Sequence, residues 1–135
     1  MSMPRFLLPL VSLALILAEG PMRAQSLELV MVEQVGCSYC AAWHREIGPA
    51  YPKTDEGRAA PLRVMQLRDM PGELDLAQRA RFTPTFLLIS EGREIARLEG
   101  YPGADFFWPI LAKMIEDASP ATQSEAPGSG RGEDQ

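Results

Sequence analysis

Two cysteines and one histidine are all the thiols and imidazoles that these 135 residues offer. Cys37, Cys40 and His44 together would leave a tetrahedral zinc one ligand short, so no metal site is expected. No histidine follows Cys40 directly, which removes covalent haem attachment through C-x-x-C-H. No internal repeat is present. Basic clusters are missing as well. Without residues 1–24 the chain carries eleven Lys/Arg against seventeen Asp/Glu, a formal charge of −6. Nucleic-acid binding needs a basic face to neutralise phosphates, and this chain has none in sequence.

A comfortable membrane span is also lacking. The apolar run Phe6–Ala18 is short and contains Pro9. With Arg5 ahead of it and small residues beyond, it reads as a secretory signal peptide over 1–24, cut after Ala24. An uncleaved anchor is the alternative. Residues 119–135 contain no apolar side chain larger than Ala or Pro, cannot offset their ordering entropy, and are expected to be a disordered tail. One compact domain over 25–118 remains.

What the domain does have is Cys37-Ser38-Tyr39-Cys40, shortly after the apolar stretch Leu27–Val32. Two thiols at this spacing can close a small disulfide ring and reopen it. A structural staple gains most from a long loop, and this pair closes almost none. The spacing points to electron exchange.

Leu27–Gln34 reads as a strand ending at Val35-Gly36, and Ala41–Ile47 as a helix stopped by Gly48-Pro49. Ala50–Pro61 reads as loop with a turn of helix, and Leu62–Leu67 as a second strand. Asp75–Arg81 suits a short helix with Asp75 near its start. Phe86–Ile89, apolar on both faces, reads as a central strand. Glu91-Gly92 turns it back into Glu94–Leu98, and the charges from Glu91 to Glu99 are expected on a solvated edge. A last helix over 104–117 carries an apolar stripe of Phe107, Ile110, Leu111, Met114 and Ile115. The order β-α-β-α-β-β-α gives an α/β fold, one mixed central sheet flanked by helices.

Cys37-x-x-Cys40 between a first strand and its helix is followed, just under fifty residues later, by Thr83-Pro84-Thr85 opening an apolar strand. A hairpin and a helix finish the domain. On these features the chain resembles the thioredoxin superfamily from about Leu27 to Asp117. More closely, Cys37–Pro49 and Tyr51–Gly57 resemble the SoxS-type periplasmic thioredoxins of bacterial sulfur-oxidation operons. The resemblance implies a thioredoxin-like fold, no cofactor, and a cis Pro84 lying against the cysteine pair. It also implies Thr83 as a tuner of that pair, as in isomerase and reductase branches. Many thioredoxins carry a buried Asp six positions before the nucleophile, and Met31 stands there in this chain. Glu33, on the same strand face by alternation, is a candidate for the missing proton acceptor. A solvated strand-end carboxylate is the commoner fate of such a residue, and water could serve instead, so the acceptor stays open.

Cys37 is expected at a helix N-terminus, where unpaired N–H groups and the dipole favour a thiolate. It is the expected nucleophile, and Cys40, one turn on, the resolving thiol. Ser38, Tyr39, Thr83 and Pro84 are the candidate partner-binding residues. His44 is read as a surface residue, and Trp43 and Trp108 as packing residues at helix margins.

The function expected is an exported, periplasmic and monomeric thiol–disulfide oxidoreductase. It would keep a cysteine-containing protein, of the Sox sulfur-carrier type, reduced. Because the periplasm is oxidising, electrons would come from a membrane thiol-relay protein of the DsbD or CcdA kind. Alternatives are a reductase for cytochrome c maturation, a disulfide oxidant or isomerase, and, from another class, a redox-sensing or metal-binding regulatory protein.

Overall fold

The computed structural model describes residues 26–119, so the expected signal peptide and all of the expected tail but Ser119 lie outside the described residues. Strand β1, Leu27–Glu33, leads through a short loop into helix α1, Ser38–Glu46. A 3-10 turn at Tyr51–Lys53 and helix α2, Asp55–Ala59, precede β2, Leu62–Gln66. After a 3-10 turn at Leu67–Asp69 and a long irregular segment come β3, Thr85–Ser90, β4, Arg93–Glu99, and helix α3, Ala104–Ala118.

The strands form one mixed sheet in the order β2-β1-β3-β4. β1 runs parallel to β2, while β3 is antiparallel to both β1 and β4. All six residues of β3 are buried, as a run apolar on both faces requires. Glu91 and Gly92 turn β3 into β4, both at positive φ, as a two-residue hairpin connection requires.

Side-chain alternation divides β1 between two apolar clusters. Leu29 and Met31 join Cys40 and Trp43 of α1, Ile47 at its C-cap, Phe86 and Leu88 of β3, and Phe107 and Leu111 of α3. Trp43 is fully buried in the middle of this cluster, not at a helix margin. Its ring centroid lies 5.6 Å from Phe86 and 5.8 Å from Phe107. Trp108 is half-buried and stacks on Tyr51. Val30, Val32, Leu87 and Ile89 face the other way, under Met70, Leu74, Leu76 and Ala80.

That second cover is where the expected short helix over 75–81 fails to form. The segment runs irregularly along β4 and makes its hydrogen bonds there. Asp75 N–H donates to Gly92 C=O and Glu94 N–H to Asp75 C=O, each at 2.9 Å. Ala77 N–H donates to the Glu94 carboxylate at 3.0 Å, and Arg97 donates to Gln78 C=O at 2.6 Å. Backbone groups satisfied across the chain have no need of a helical ladder. The same contacts correct part of the expectation of a solvated hairpin edge, which holds for the exposed Glu91, Arg93 and Glu99 but not for Glu94 and Arg97. Glu94 and Arg97 form a 2.6 Å ion pair whose side chains are only 5% and 13% exposed.

α3 continues through Pro109, which cannot donate to the carbonyl four residues back. Pro109 is exposed, so water can serve that carbonyl.

Candidate redox site

β1 ends at Glu33, and Gly36, at a φ of +82° open to glycine, turns the chain into α1. Cys37 is the N-cap of that helix, with extended backbone, and its sulfur accepts a hydrogen bond from Cys40 N–H at 3.1 Å. One of the four otherwise unpaired N–H groups of the helix start is thereby aimed at sulfur. A disulfide joins Cys37 to Cys40, with the Cα atoms 5.2 Å apart. The two sulfurs are not equivalent. Cys37 is partly exposed, whereas Cys40 is 3% exposed and belongs to the main core cluster.

Cys37, Ser38 and Cys40 line one open cavity of about 430 Å³ together with Glu33, His44 and Gln66. Tyr39 points to a different place. It is 63% exposed and borders a cleft of about 370 Å³ with Leu98, Gly100, Tyr101 and Pro102. Thr83 and Pro84 line neither space. The Thr83–Pro84 peptide bond is cis, and Pro84 is buried. Val32 pairs with Thr85 across the sheet, so Pro84 enters β3 at the same sheet end where β1 leaves for Cys37. Pro84 C=O accepts from Gly100 N–H at 2.7 Å, tying the β4–α3 loop beside Tyr39 to the same end. Val35 and Phe82, both strongly exposed, add apolar surface on the loops flanking the pair.

A family model described as a thioredoxin-like domain matches residues 22–115. The chain belongs to the thioredoxin-like family. It is a thiol–disulfide oxidoreductase of that family, with Cys37 and Cys40 as its cysteine pair. Among solved structures it is similar to the reduced form of the periplasmic thioredoxin SoxS from Paracoccus pantotrophus. The two are 57% identical with a TM-score of 0.67, over 69% of this chain and 99% of that one. The Malassezia sympodialis thioredoxin Mala s 13 is 19% identical with a TM-score of 0.46, over 67% of this chain and 76% of that one, a likeness too low to bear on function. No curated protein matches the chain. Among the described residues of this thioredoxin-like chain, no helix is long and apolar enough to cross a membrane. Nor do three or more His, Cys, Asp or Glu side chains there group to hold a metal ion.

Sequence reasoning treated Glu33 and His44 separately and missed what joins them. Glu33 accepts from His44 at 2.6 Å and from the Gln66 side-chain amide at 3.0 Å. The signals were present: His44 stands four residues after Cys40, and Glu33 shares the Met31 face of β1. Gln66 carried none, because only the β1–β2 register sets it opposite Glu33. Tyr101 was missed as well. It donates to Glu46 at 2.7 Å, and burial, with that carboxylate adding, pushes its phenol up to about 12.

Proposed function

We propose that this chain is an exported reductant. It would reduce a cysteine-bearing periplasmic protein, of the sulfur-carrier kind that sulfur-oxidation systems use. Cys37 is the nucleophile and Cys40 the resolving thiol. The observation that carries this reading is the asymmetry of the pair: one sulfur at the surface on a helix N-cap, the other buried a turn behind it. The 57% identity to a periplasmic thioredoxin supports the compartment.

In the reduced protein, Cys37 thiolate attacks a partner's disulfide and expels the first partner thiolate. Cys40 then attacks the Cys37 sulfur of the mixed disulfide and expels the second. The partner gains two electrons, and Cys37–Cys40 closes as the disulfide. Ser38 and Tyr39 border the approach, Thr83 and Pro84 lead into β3 at the same sheet end, and Val35 and Phe82 offer apolar contact to an extended partner segment. Reopening the pair requires a donor, for which a membrane thiol-relay protein of the DsbD or CcdA kind has the right chemistry. Residues 1–24 act as the export signal, and the folded domain works as a monomer without cofactor.

Trapping tests this reading. Cys40→Ser, exposed in its reduced state to an extract of periplasmic proteins, should retain a partner on Cys37 that dithiothreitol releases. A cysteine-bearing sulfur carrier is the expected capture, identified by mass spectrometry. Capture of apocytochrome c alone would redirect the assignment. Turnover of insulin by Cys37→Ser at the wild-type rate would remove the nucleophile.

A further inference from the structure

Resolution requires Cys40 to give up a proton before its sulfur can attack. It belongs to a core cluster with Met31, Trp43 and Phe86, whose side chains neither accept a proton nor solvate a thiolate. The cavity that Cys40 shares with Cys37 has two other titratable groups in its lining, Glu33 and His44.

Glu33 is the last residue of β1, on the face whose Leu29 and Met31 share a core cluster with Cys40. Its carboxylate is held at both oxygens, by His44 Nε2 at 2.6 Å and by the Gln66 amide at 3.0 Å. An ionised carboxylate has only lone pairs to offer, so the imidazole donates. Two oxygens carry about four acceptor positions, so two donors leave lone pairs free to take a proton. His44 reaches Glu33 from α1, four residues beyond Cys40 and on the same helix face. Gln66 reaches it from β2, paired with Glu33 in register. Carboxylate, imidazole, amide and both sulfurs thus line a single cavity.

We propose that Glu33 is the proton acceptor for Cys40 in the resolving step, with His44 and Gln66 as positioning residues. This rests on the oxidoreductase reading above and adds a residue to it. In the step, the Cys40 S–H bond breaks and its proton passes to the Glu33 carboxylate, directly or through one water. The Cys40 thiolate forms the bond to Cys37 sulfur, and the partner thiolate leaves with the electron pair of the bond that breaks. Glu33 then returns its proton to the departing thiolate or to solvent, so the carboxylate is regenerated.

An aromatic disulfide, 5,5′-dithiobis(2-nitrobenzoate), separates the two chemical steps in stopped flow. Attack by Cys37 releases the first thionitrobenzoate in a phase proportional to reagent concentration. Attack by Cys40 releases the second in a phase independent of it. Glu33→Gln should slow the second phase about tenfold or more at pH 7, the lower range for a positioned general base. The first phase should stay within about twofold, which also reports that the variant is folded. Besides Glu33, the titratable groups lining the cavity beside Cys40 are Cys37 and His44, and Tyr51 and Tyr101 share its core cluster. Gln66 is neutral, and Arg68 in the adjoining cleft pairs with Asp69. The Glu33→Gln deficit should therefore shrink as pH rises and Cys40 ionises without help. His44→Ala should slow the second phase less, and His44→Gln, which keeps a donor, should restore it.

An unchanged second phase in Glu33→Gln, or equal slowing of both phases, overturns the assignment of Glu33 while leaving the cysteine chemistry intact. Absence of any release from the reduced wild type overturns the oxidoreductase reading and this assignment with it.

Discussion

Cys37 has to be both reachable and stabilised as an anion, and one position satisfies both demands. As N-cap it stands outside the helical ladder, so its sulfur can meet solvent while a helix-start N–H points at it. Cys40, inside the first turn, is drawn into the core by the rows that bury Trp43. Trp43 carries a cost of its own: its indole N–H is buried without a hydrogen-bond partner among the described residues. A buried donor left unpaired costs about 1–3 kcal/mol, and removing it offsets part of the volume lost in a smaller ring. Trp43→Phe should therefore lie within about 1.5 kcal/mol of wild type in urea unfolding, whereas Trp43→Ala should lose about 3–5 kcal/mol.

Among elements, the unit from Tyr51 to Ala60 is tied by its own polar groups. Tyr51 hydroxyl donates to Ala60 C=O at 2.7 Å, and Thr54 hydroxyl both donates to Tyr51 C=O and accepts from Gly57 N–H. Gly57 leaves no room: a Cβ there would lie 1.8 Å from Tyr51 C=O. Gly57→Ala must displace this turn, with an expected loss of about 2–4 kcal/mol, the range for overpacking and strain at a fully buried site. Thermal unfolding would check it; a neutral outcome would mean that the turn can move away freely. The Glu94–Arg97 pair fastens the irregular segment to β4 in a similar way. Glu94→Ala leaves a largely buried guanidinium with only Glu99 and Gln78 C=O as partners, and about 1–3 kcal/mol should be lost. Amide exchange should quicken over 75–80 before it does in β3.

These two units mark how far the sequence could be read. β1, β3, the hairpin and α3 were legible because a buried face writes its period into the chain. The cysteine pair was legible because its spacing has few uses. The segment 75–81 has helix-forming residues, and local propensity favours a helix there. Its hydrogen-bond partners lie 17 to 19 residues downstream on β4, where no local pattern announces them. Glu94 and Arg97 looked like a solvated edge because their partners were not yet known to cover them. The Glu33–His44–Gln66 cluster joins three elements, and only the sheet register and the placing of α1 bring it together.

For the whole molecule, the shifted groups bound the pH range of stability. The Arg97 guanidinium bonded to Glu94 holds that carboxyl below its usual range. Its contribution is present above the ordinary carboxylate range and is lost as pH falls through the lowered value. Tyr101 is shifted the other way, from 10.0 up to about 12, chiefly by burial. Its contribution is complete below pH 10 and disappears as pH rises through 12. Urea midpoints measured across pH should therefore fall at both extremes. Glu94→Gln should flatten the acid limb below the ordinary carboxylate range, and Tyr101→Phe the alkaline one. Equal slopes in wild type and variants would remove these groups as the cause.

Everything functional in the molecule depends on the two sulfurs having unequal roles. Brief alkylation of the reduced protein with substoichiometric iodoacetamide at neutral pH, with the label located by peptide mass spectrometry, measures this directly. The label should fall on Cys37, with Cys40 unmodified. Labelling of Cys40 first, or of both alike, would contradict the assignment of nucleophile and resolving thiol.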